Sequence, residues 1–275
     1  MHNADQYEGA SELQRRDARE ALDELVPKMQ WVPGERVCDQ GSGDGWVTNR
    51  LLATRLPKDY ARIVGMDKSG EMVRYALQNH QSDKRITFVE GDVACGNPLW
   101  HGAFTKVLSF NCWHWVKDQS AAARTTYEML APGGELGLVC LARSPIYELF
   151  QGMARCSKWA CFMEDVDQFI SPYQHLDRPE EELTKHLEAA GLEVVFCQNR
   201  EKTYTFKSED ALRESIAAVN PFLNKMPEMM RNEFMDDCMR MVKKLDLIQN
   251  HNNNKDDGVS HIYSQLVVHA RKRWH

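Results

Sequence analysis

The sequence predicts an α/β fold built on a mostly parallel sheet of seven strands, with helical insertions that form a cap. Three observations support this fold. Strand-like and helix-like segments alternate from residue 36 to residue 141, a glycine-rich loop follows the first strand, and two long stretches further on carry helical patterns of their own. Strands that alternate with helices are joined by right-handed crossovers, which give a parallel sheet covered on both faces.

Five strands are predicted in the first half of the chain, each a short apolar run: 36–39, 62–67, 86–90, 106–110 and 135–141. A helix over 11–29 precedes them, because apolar side chains recur there at helical spacing on one face. Further helices are predicted after position 46, over 69–79 with Ser69 as its cap, and over about 120–130. The sequence Pro132-Gly133-Gly134 predicts a turn that leads into the fifth strand.

The second half alternates less regularly. A helix over 179–190 is predicted to end at Gly191, strands are predicted over 193–206 and 262–270, and the asparagine-rich stretch 250–258 is typical of a surface loop. Segments 143–178 and 208–257 are long and rich in large apolar residues, which favours helical cap insertions that form a ligand pocket. We therefore expect one domain over 1–275, with an N-terminal helical segment over 1–30 lying above the site.

The composition excludes several classes of protein. The chain has 275 residues with 34 basic and 40 acidic side chains, a net charge of −6, and this acidic balance argues against a nucleic acid partner. No apolar run approaches the roughly 20 residues that span a bilayer, and the first residues lack the pattern of a signal peptide, so we expect a cytoplasmic protein without a membrane partner. Its 8 cysteines show no metal-binding spacing, which predicts reduced, mostly buried thiols and no metal site.

A glycine-rich motif follows the first predicted strand directly. It reads Asp39-x-Gly41-x-Gly43-x-Gly45, and glycines at these positions let a ligand approach the backbone where the next helix starts. The third glycine of a dinucleotide-binding fingerprint would stand at position 46, which is Trp46. The motif therefore disfavours NAD.

Acidic residues follow the first three strands. Asp67 ends the second strand and Asp92 follows the third, so that with Asp39 they are expected to share the carboxyl edge of the sheet, where ligands bind in open α/β folds. One carboxylate can accept both hydroxyl groups of a ribose, and another can meet the amino group of an adenine. Together with the glycines, this arrangement predicts a ligand that contains adenosine.

With these motifs the sequence resembles the class I S-adenosylmethionine-dependent methyltransferases, which have a Rossmann-like sheet. Along nearly the whole chain it also resembles one family, the insect juvenile hormone acid O-methyltransferases. The segments that carry this closer resemblance are Asn3-x-x-x-Tyr7, Leu13-Gln14-Arg15-Arg16-Asp17-Ala18, Ser109-Phe110-x-x-x-His114-Trp115-Val116-x-Asp118, Phe169-Ile170-Ser171-Pro172-Tyr173, Ala218-Val219-Asn220-Pro221-Phe222 and Ala270-Arg271-Lys272.

The resemblance implies methyl transfer from S-adenosylmethionine, with S-adenosylhomocysteine as product, to the carboxylate of farnesoic acid or of juvenile hormone acid, an epoxidised farnesoid. It also implies a possible homodimer. The residues expected to contact the cofactor are Asp39, Gly41, Ser42, Gly43, Asp67, Lys68, Met72, Asp92, Val93 and Asn111. The residues expected to contact the sesquiterpenoid acid are Gln14, His114, Trp115, Phe150, Trp159, Phe169, Tyr173 and Phe222.

Gln14 and Trp115 are the expected catalytic residues, since the resemblance implies that they hold the substrate carboxylate. Gln14 shares a helical face with apolar residues, so its amide is expected to point into the protein, either toward a ligand or toward a backbone partner. An indole N–H on a flat apolar ring suits a carboxylate at the head of an apolar chain. His114 is expected to orient its neighbours, because a carboxylic acid is already ionised at neutral pH and needs no general base.

The sequence departs from the family pattern at Gln40, where the family usually has an apolar residue, and at Trp113, an additional aromatic residue. These departures keep two alternatives open. One is methylation of another apolar or fatty acid by the same machinery. The other is a catalytically silent paralogue that binds a terpenoid, which would require loss of cofactor contacts, whereas Asp39, Gly41 and Gly43 are all present.

Overall fold

A single twisted sheet carries all the strands of the computed structural model, which describes residues 11–250 and 258–274. The strands are β1 (Arg36–Gln40), β2 (Arg62–Asp67), β3 (Ile86–Glu90), β4 (Phe104–Phe110), β5 (Leu130–Arg143), β6 (Leu192–Phe206), β7 (Gln249–Asn250) and β8 (Val259–Lys272). Seven of them follow the order β3-β2-β1-β4-β5-β8-β6, with β1 to β5 parallel and β8 antiparallel to both of its neighbours. The short β7 pairs with β8. The predicted fold class is confirmed.

The helices between these strands are α1 (Glu12–Leu25), α2 (Ala53–Arg55), α3 (Gly70–Asn79), α4 (Gln119–Met129), α5 (Pro145–Ala154), α6 (Pro179–Ala189), α7 (Glu209–Val219) and α8 (Glu228–Lys244). A π-helical segment, Val47–Leu52, leads into α2. Ser69 caps α3, as predicted, because its hydroxyl oxygen accepts a hydrogen bond from the backbone N–H of Met72 at 3.4 Å. The N-terminal motif Asn3-x-x-x-Tyr7 lies outside the described residues, as do parts of segments 1–30, 208–257 and 250–258.

The sheet is covered on both faces because its buried strands alternate their side chains between two apolar clusters. On one face, α1 and α3 pack against residues such as Val37 and Leu108. On the other, α4 and α6 pack against Cys38 and Val107. Along the edge where the parallel strands end, the chain turns to opposite sides after β1 and β4, and this topological switch point opens a crevice.

Strand β5 begins earlier than the sequence pattern predicts. Leu130 already pairs with Phe104, and regular pairing then starts at Glu135 with Lys106, so the Pro132-Gly133-Gly134 sequence turns the chain within the strand rather than before it. Gly133 has a φ of 73°, and a Cβ atom there would lie 2.2 Å from the ring of Trp274. Gly133 therefore adopts the backbone conformation that the irregular pairing requires and leaves space for the Trp274 ring.

Helix α1 is attached to the sheet through a buried carboxylate. Asp17 accepts hydrogen bonds from the Tyr263 hydroxyl at 2.8 and 2.9 Å and from the Gln265 side-chain amide at 2.6 Å, both on β8. The Lys202 ammonium on β6 donates to the same carboxylate at 2.7 Å. A buried charge with this many donors fixes the position of the helix above the carboxyl edge of the sheet.

Segments 143–178 and 208–250 carry α5, α7 and α8, and their apolar side chains share one cluster with Leu13 of α1 and Tyr263 of β8. This cluster lies beyond the sheet's carboxyl edge, because β5 ends at Arg143 and leads directly into α5. It joins the N-terminal helix, both long connections and the last strand into one body.

Disulfide bonds are absent from the described part of the chain. Cys38, Cys140 and Cys238 are buried, Cys112, Cys156 and Cys197 are half-buried, and Cys95 and Cys161 are exposed, so fewer thiols are fully buried than expected. Within residues 11–250 and 258–274, no three His, Cys, Asp or Glu side chains cluster in a way that could hold a metal ion. Over the same ranges, no helix has both the length and the apolar character needed to span a membrane.

Candidate functional site

Two cavities adjoin at the carboxyl edge of the sheet. The first is lined by Ser11, Gln14, Arg15, Asp39, Gly41, Ser42, Gly43, Asp44, Val47, Phe110 and Asn111. The second is lined by Leu13, Gln14, Asn111, His114, Trp115, Leu141, Ser144, Ile146, Ser215, Val219, His261 and Tyr263. Gln14 and Asn111 line both, so a ligand in one cavity can meet a ligand in the other at these two residues.

Gln14 reaches the junction from the first turn of α1. Its Oε1 atom is buried and has no hydrogen-bond partner within the described ranges. Because buried polar atoms are normally paired, an unpaired amide oxygen at a cavity junction marks a place where a ligand can bind. The backbone partner considered as an alternative for this amide is absent from the described chain.

Asn111 follows β4 in a left-handed conformation, with a φ of 54°. Its N–H donates to the Val139 carbonyl at 2.8 Å, and its Oδ1 atom is buried without a partner in the part of the chain described. Asparagine tolerates this conformation better than most residues, but it still costs free energy. The end of β4 thus places the Asn111 side chain between the two cavities by means of a strained backbone conformation.

The glycine-rich loop is fixed by the end of β2. The N–H groups of Gly41 and Ser42 both donate to the Met66 carbonyl, at 2.7 and 3.0 Å, and the N–H of Gly43 donates to Asp67 Oδ2 at 2.9 Å. Gly41 and Gly43 have φ values of 75° and 55°, which favour glycine. The loop therefore forms one wall of the first cavity, and glycine is required at position 41, where a Cβ atom would lie 2.3 Å from the Cys112 side chain.

Asp39 lies at the bottom of the first cavity. It is buried, and its Oδ2 atom accepts a hydrogen bond from the Thr48 hydroxyl at 2.6 Å. Burial raises the pKa of Asp39 to about 7, because the charged form loses its hydration. This carboxylate changes charge near neutral pH, and a cation placed beside it would stabilise the ionised form.

The remaining predicted cofactor residues lie next to the first cavity but do not line it. They are Asp67, Lys68, Met72, Asp92 and Val93, at or after the ends of β2 and β3. Burial raises the pKa of Asp67, against the opposing effect of N–H donation from Ser69 and Gly43. Asp92 is paired with Lys68 at 2.7 Å, and although burial opposes it, this contact lowers the pKa of Asp92. Of the predicted cofactor residues, the structure thus brings five together around the first cavity: Asp39, Gly41, Ser42, Gly43 and Asn111. The remaining five lie beside that cavity.

Arg15 lines the first cavity and was missed by the sequence analysis. Its guanidinium lies over the Trp46 ring, 4.1 Å from the centroid, and its Nη2 atom is 3.7 Å from Asp44 Oδ2. That Nη2 atom is buried and has no hydrogen bond to any residue described. Its place beside Gln14 in the helix above the glycine loop was a signal that could have identified it.

The first cavity suits a small ligand with many polar groups. Buried polar atoms without a hydrogen-bond partner in the described chain are concentrated in its lining: Ser11 Oγ, Gln14 Oε1, Arg15 Nη2, Ser42 Oγ and Asn111 Oδ1. Donors, acceptors, a cation and a titratable carboxylate all face one space. A ligand with a carboxylate, a cationic centre and hydroxyl groups, as in S-adenosylmethionine, would pair these atoms apart from Gln14 Oε1, since Gln14 also lines the second cavity.

His114 and Trp115 line the second cavity from a 3-10 turn after β4. The His114 Nδ1 atom accepts a hydrogen bond from the Leu141 N–H at 3.2 Å, which leaves the ring proton on Nε2. Burial lowers the pKa of His114 to about 3, so the ring is neutral at physiological pH. Trp115 packs edge-on against Tyr147, with ring centroids 6.2 Å apart, and forms an apolar wall.

The other residues predicted to contact the acceptor lie outside this lining. Phe222 packs edge-to-face against Phe150 and Phe169, with centroids 5.4 and 5.2 Å apart, inside the cap cluster. The indole N–H of Trp159 donates to Asp237 at 2.9 Å. Tyr173 belongs to the core on the face of the sheet that α4 and α6 cover, where its hydroxyl donates to Gln119 at 2.7 Å.

The second cavity instead uses residues that sequence reasoning did not select: Leu13, Leu141, Ser144, Ile146, Ser215, Val219, His261 and Tyr263. They come from α1, β5, α5, α7 and β8, which meet only in the folded chain. Leu13, next to Gln14, and Val219, within the segment Ala218 to Phe222, were the two with a local signal. The lining combines apolar side chains with a few polar groups, as ligand pockets commonly do.

Comparison with known proteins supports this picture. A family model described as a methyltransferase domain matches residues 38–138. The juvenile hormone acid O-methyltransferase of Bombyx mori is 36% identical over 278 residues, covering 99% of this chain and 98% of that protein. The juvenile hormone acid O-methyltransferase of Drosophila melanogaster is 34% identical over 277 residues, covering 99% and 93%.

Solved structures agree on the fold. The YcgJ protein of Bacillus subtilis superposes with a TM-score of 0.60 at 14% identity, covering 92% of this chain and 98% of that one. At this identity the likeness concerns the arrangement of the sheet and helices alone.

Proposed function

The chain belongs to the juvenile hormone acid O-methyltransferase family, and we propose that it transfers a methyl group from S-adenosylmethionine to the carboxylate of a farnesoid acid. As a member of this family it is an S-adenosylmethionine-dependent O-methyltransferase. The observation that carries the proposal for the acceptor is the pair of adjoining cavities that share Gln14 and Asn111. Farnesoic acid and juvenile hormone acid are the proposed acceptors.

We propose that the first cavity holds the cofactor. The backbone of Gly41, Ser42 and Gly43 would approach it closely, and Asp39 would lie near its cationic part. Arg15 would pair with its carboxylate, since Arg15 is the cationic side chain in the described lining.

The adenosine part is proposed to extend along the ends of β2 and β3. Asp67 would meet the ribose, with Lys68 and Met72 beside it, and Asp92 with Val93 would meet the adenine. The supporting observation is the hydrogen bond between the Gly43 N–H and Asp67, which joins this row of residues to the first cavity.

The second cavity is proposed to hold the acid, with its carboxylate at Gln14 and Trp115. The Gln14 amide and the Trp115 indole each offer an N–H donor, and neutral His114 offers another from Nε2. Apolar side chains such as Ile146 and Val219 would contact the hydrocarbon chain. Phe150, Trp159, Phe169 and Phe222 would support these walls from within the cap.

The proposed chemistry needs orientation rather than proton transfer. When bound, the cofactor supplies an electrophilic methyl group on a sulfonium sulfur. One carboxylate oxygen of the acid forms a bond to the methyl carbon while the carbon–sulfur bond breaks, and no proton is gained or lost. Gln14 and Trp115 would aim that oxygen, and the cap would exclude water, so that the opposite charges of the reactants attract one another strongly. His114 has no part as a base, because burial lowers the pKa of its ring to about 3 and its Nδ1 already accepts a hydrogen bond from the Leu141 N–H.

The test is detection of methyl ester by mass spectrometry after the pure protein is incubated with S-adenosylmethionine and one acid from a panel. The panel contains farnesoic acid, juvenile hormone acid and lauric acid. We expect ester from the farnesoids and little from lauric acid. A clear preference for lauric acid would favour the fatty acid alternative. Failure to bind S-adenosylmethionine in a calorimetric titration would favour the silent paralogue instead.

A further inference from the structure

A buried polar atom in the second cavity has no role in the proposed chemistry. His261 of β8 lines the cavity, and its Nε2 atom is buried without a hydrogen-bond partner within residues 11–250 and 258–274. The ring is held between Phe206 and Tyr263, with centroids 5.2 and 5.3 Å away. Since a buried nitrogen without a partner is destabilising, a group that pairs with it is expected in the cavity.

The register of β8 places His261 far from the contact between Leu141 and His114. Leu141 of β5 pairs with Gln265 of β8, and the N–H of Leu141 donates to His114. His261 lies four residues from Gln265 along an extended strand, which corresponds to roughly 14 Å at about 3.4 Å per residue. The two histidines therefore line the cavity at well-separated levels.

The chemistry of His261 limits what it can recognise. Burial lowers its pKa to about 4, so the ring is neutral at physiological pH and does not attract a second carboxylate. The charged side chains that influence the pKa of His261 are those of Asp17 and Arg16, and they are already paired with each other and with Tyr263. The Tyr263 hydroxyl is committed to Asp17, which leaves the imidazole nitrogen available for an uncharged oxygen.

We propose that His261 is a specificity-determining residue that forms a hydrogen bond with an uncharged oxygen, of the epoxide, ether or hydroxyl class, at the far end of the acceptor. This inference rests on the proposed function and refines it. An acid with such an oxygen would satisfy the buried nitrogen, whereas the hydrocarbon analogue would leave it unpaired. The enzyme should therefore prefer the oxygenated acid over an otherwise identical acid.

The experiment compares two acceptors that differ in this oxygen alone, farnesoic acid and its epoxide at the double bond furthest from the carboxylate. kcat/KM is measured for each acid with the wild-type chain, His261→Phe, His261→Asn and Ser215→Ala. The wild type should prefer the epoxide by about three- to tenfold, the range expected for one hydrogen bond. His261→Phe should bring the ratio close to one, and His261→Asn, which keeps a donor, should retain part of it.

Ser215→Ala is the matched control, because Ser215 is another polar residue of the same lining. Its ratio should equal that of the wild type. Equal rates of the wild type on both acids, or a ratio that is kept in His261→Phe, would overturn this inference alone. Methyl ester from neither acid would overturn the proposed function and this inference with it. If His261→Phe fails to fold, His261→Asn takes its place: a ratio below that of the wild type supports the inference, and an unchanged ratio overturns it.

Discussion

The indole Nε1 of Trp113 donates a hydrogen bond to Oε1 of Gln40 at 3.2 Å, and both side chains are fully buried. The Gln40 amide nitrogen in turn donates to the Thr126 hydroxyl at 3.1 Å. These are the two positions at which the sequence departs from the family pattern, and the structure shows that they are complementary partners in the core. Neither residue is in the described lining of the two cavities. The departures thus concern packing and do not support a different acid substrate.

Replacement of Gln40 by Leu should lower the free energy of unfolding by about 1–3 kcal/mol, because the Trp113 N–H would stay buried without an acceptor. Trp113→Phe should lower the free energy of unfolding less in the Gln40→Leu variant than in the wild type. Urea unfolding of both single variants and the double variant measures this coupling. Strictly additive losses, or a changed preference among acids in Gln40→Leu, would contradict the account.

Gln14→Ala and Trp115→Ala should both weaken methylation of the acid while the affinity for S-adenosylmethionine stays nearly intact. A hydrogen bond to a charged group contributes about 1.5–3 kcal/mol, so kcat/KM for the acid should fall about 10- to 100-fold. Asp67→Ala should weaken cofactor binding first. Steady-state kinetics and calorimetric titration separate the two effects. The proposed role of Gln14 in binding the substrate carboxylate would be wrong if Gln14→Ala abolished cofactor binding and left turnover at saturating substrate unchanged.

Arg15→Gln should reduce the affinity for S-adenosylmethionine by about tenfold or more, because a charge-assisted hydrogen bond to its carboxylate would be lost. The affinity for decarboxylated S-adenosylmethionine should change much less. Arg19→Gln serves as the control, since Arg19 is an exposed residue of the same helix that does not line the cavity. An equal loss for both ligands would show that Arg15 acts on the shape of the site rather than on the carboxylate.

Cofactor affinity should increase as the pH rises from 6 to 8. The pKa of Asp39 is raised to about 7 by burial, so the residue is mostly neutral at pH 6 and mostly ionised at pH 8, when it attracts the sulfonium. The same raised pKa means that the free energy of unfolding decreases as the pH rises from about 4 through 7. Calorimetric titrations at pH 6, 7 and 8 measure the affinity. Asp39→Asn should remove the dependence, and S-adenosylhomocysteine, which has no sulfonium, should show less of it.

The sheet and the glycine-rich loop could be predicted from sequence because their signals are local. The apolar run 62–67 and the loop Asp39 to Gly45 specify their own conformations, and the parallel topology then places their ends together. Gln14 could be found for a similar reason, since helical spacing alone turns it inward.

The wall of the second cavity could not be predicted in the same way. Phe150 and Phe222 are large and apolar, which predicts burial but not the cavity that a side chain faces. Ser215 and His261 lie on α7 and β8, and nothing in either local sequence indicates that the two elements meet beside α1. Their proximity depends on how the cap packs on the sheet.

The position of β8 between β5 and β6 also determines the order in which the protein can be completed during synthesis. β6 leaves the ribosome before β8 but joins the sheet only through it, so until β8 emerges the edge of β5 has no neighbour. An uncovered strand edge is open to pairing with other chains, which makes this nascent intermediate prone to aggregation. Asp17 likewise lacks its hydrogen bonds from Tyr263 and Gln265 until β8 is in place. The second cavity, which His261 and Tyr263 of β8 line, is therefore completed only when this strand inserts.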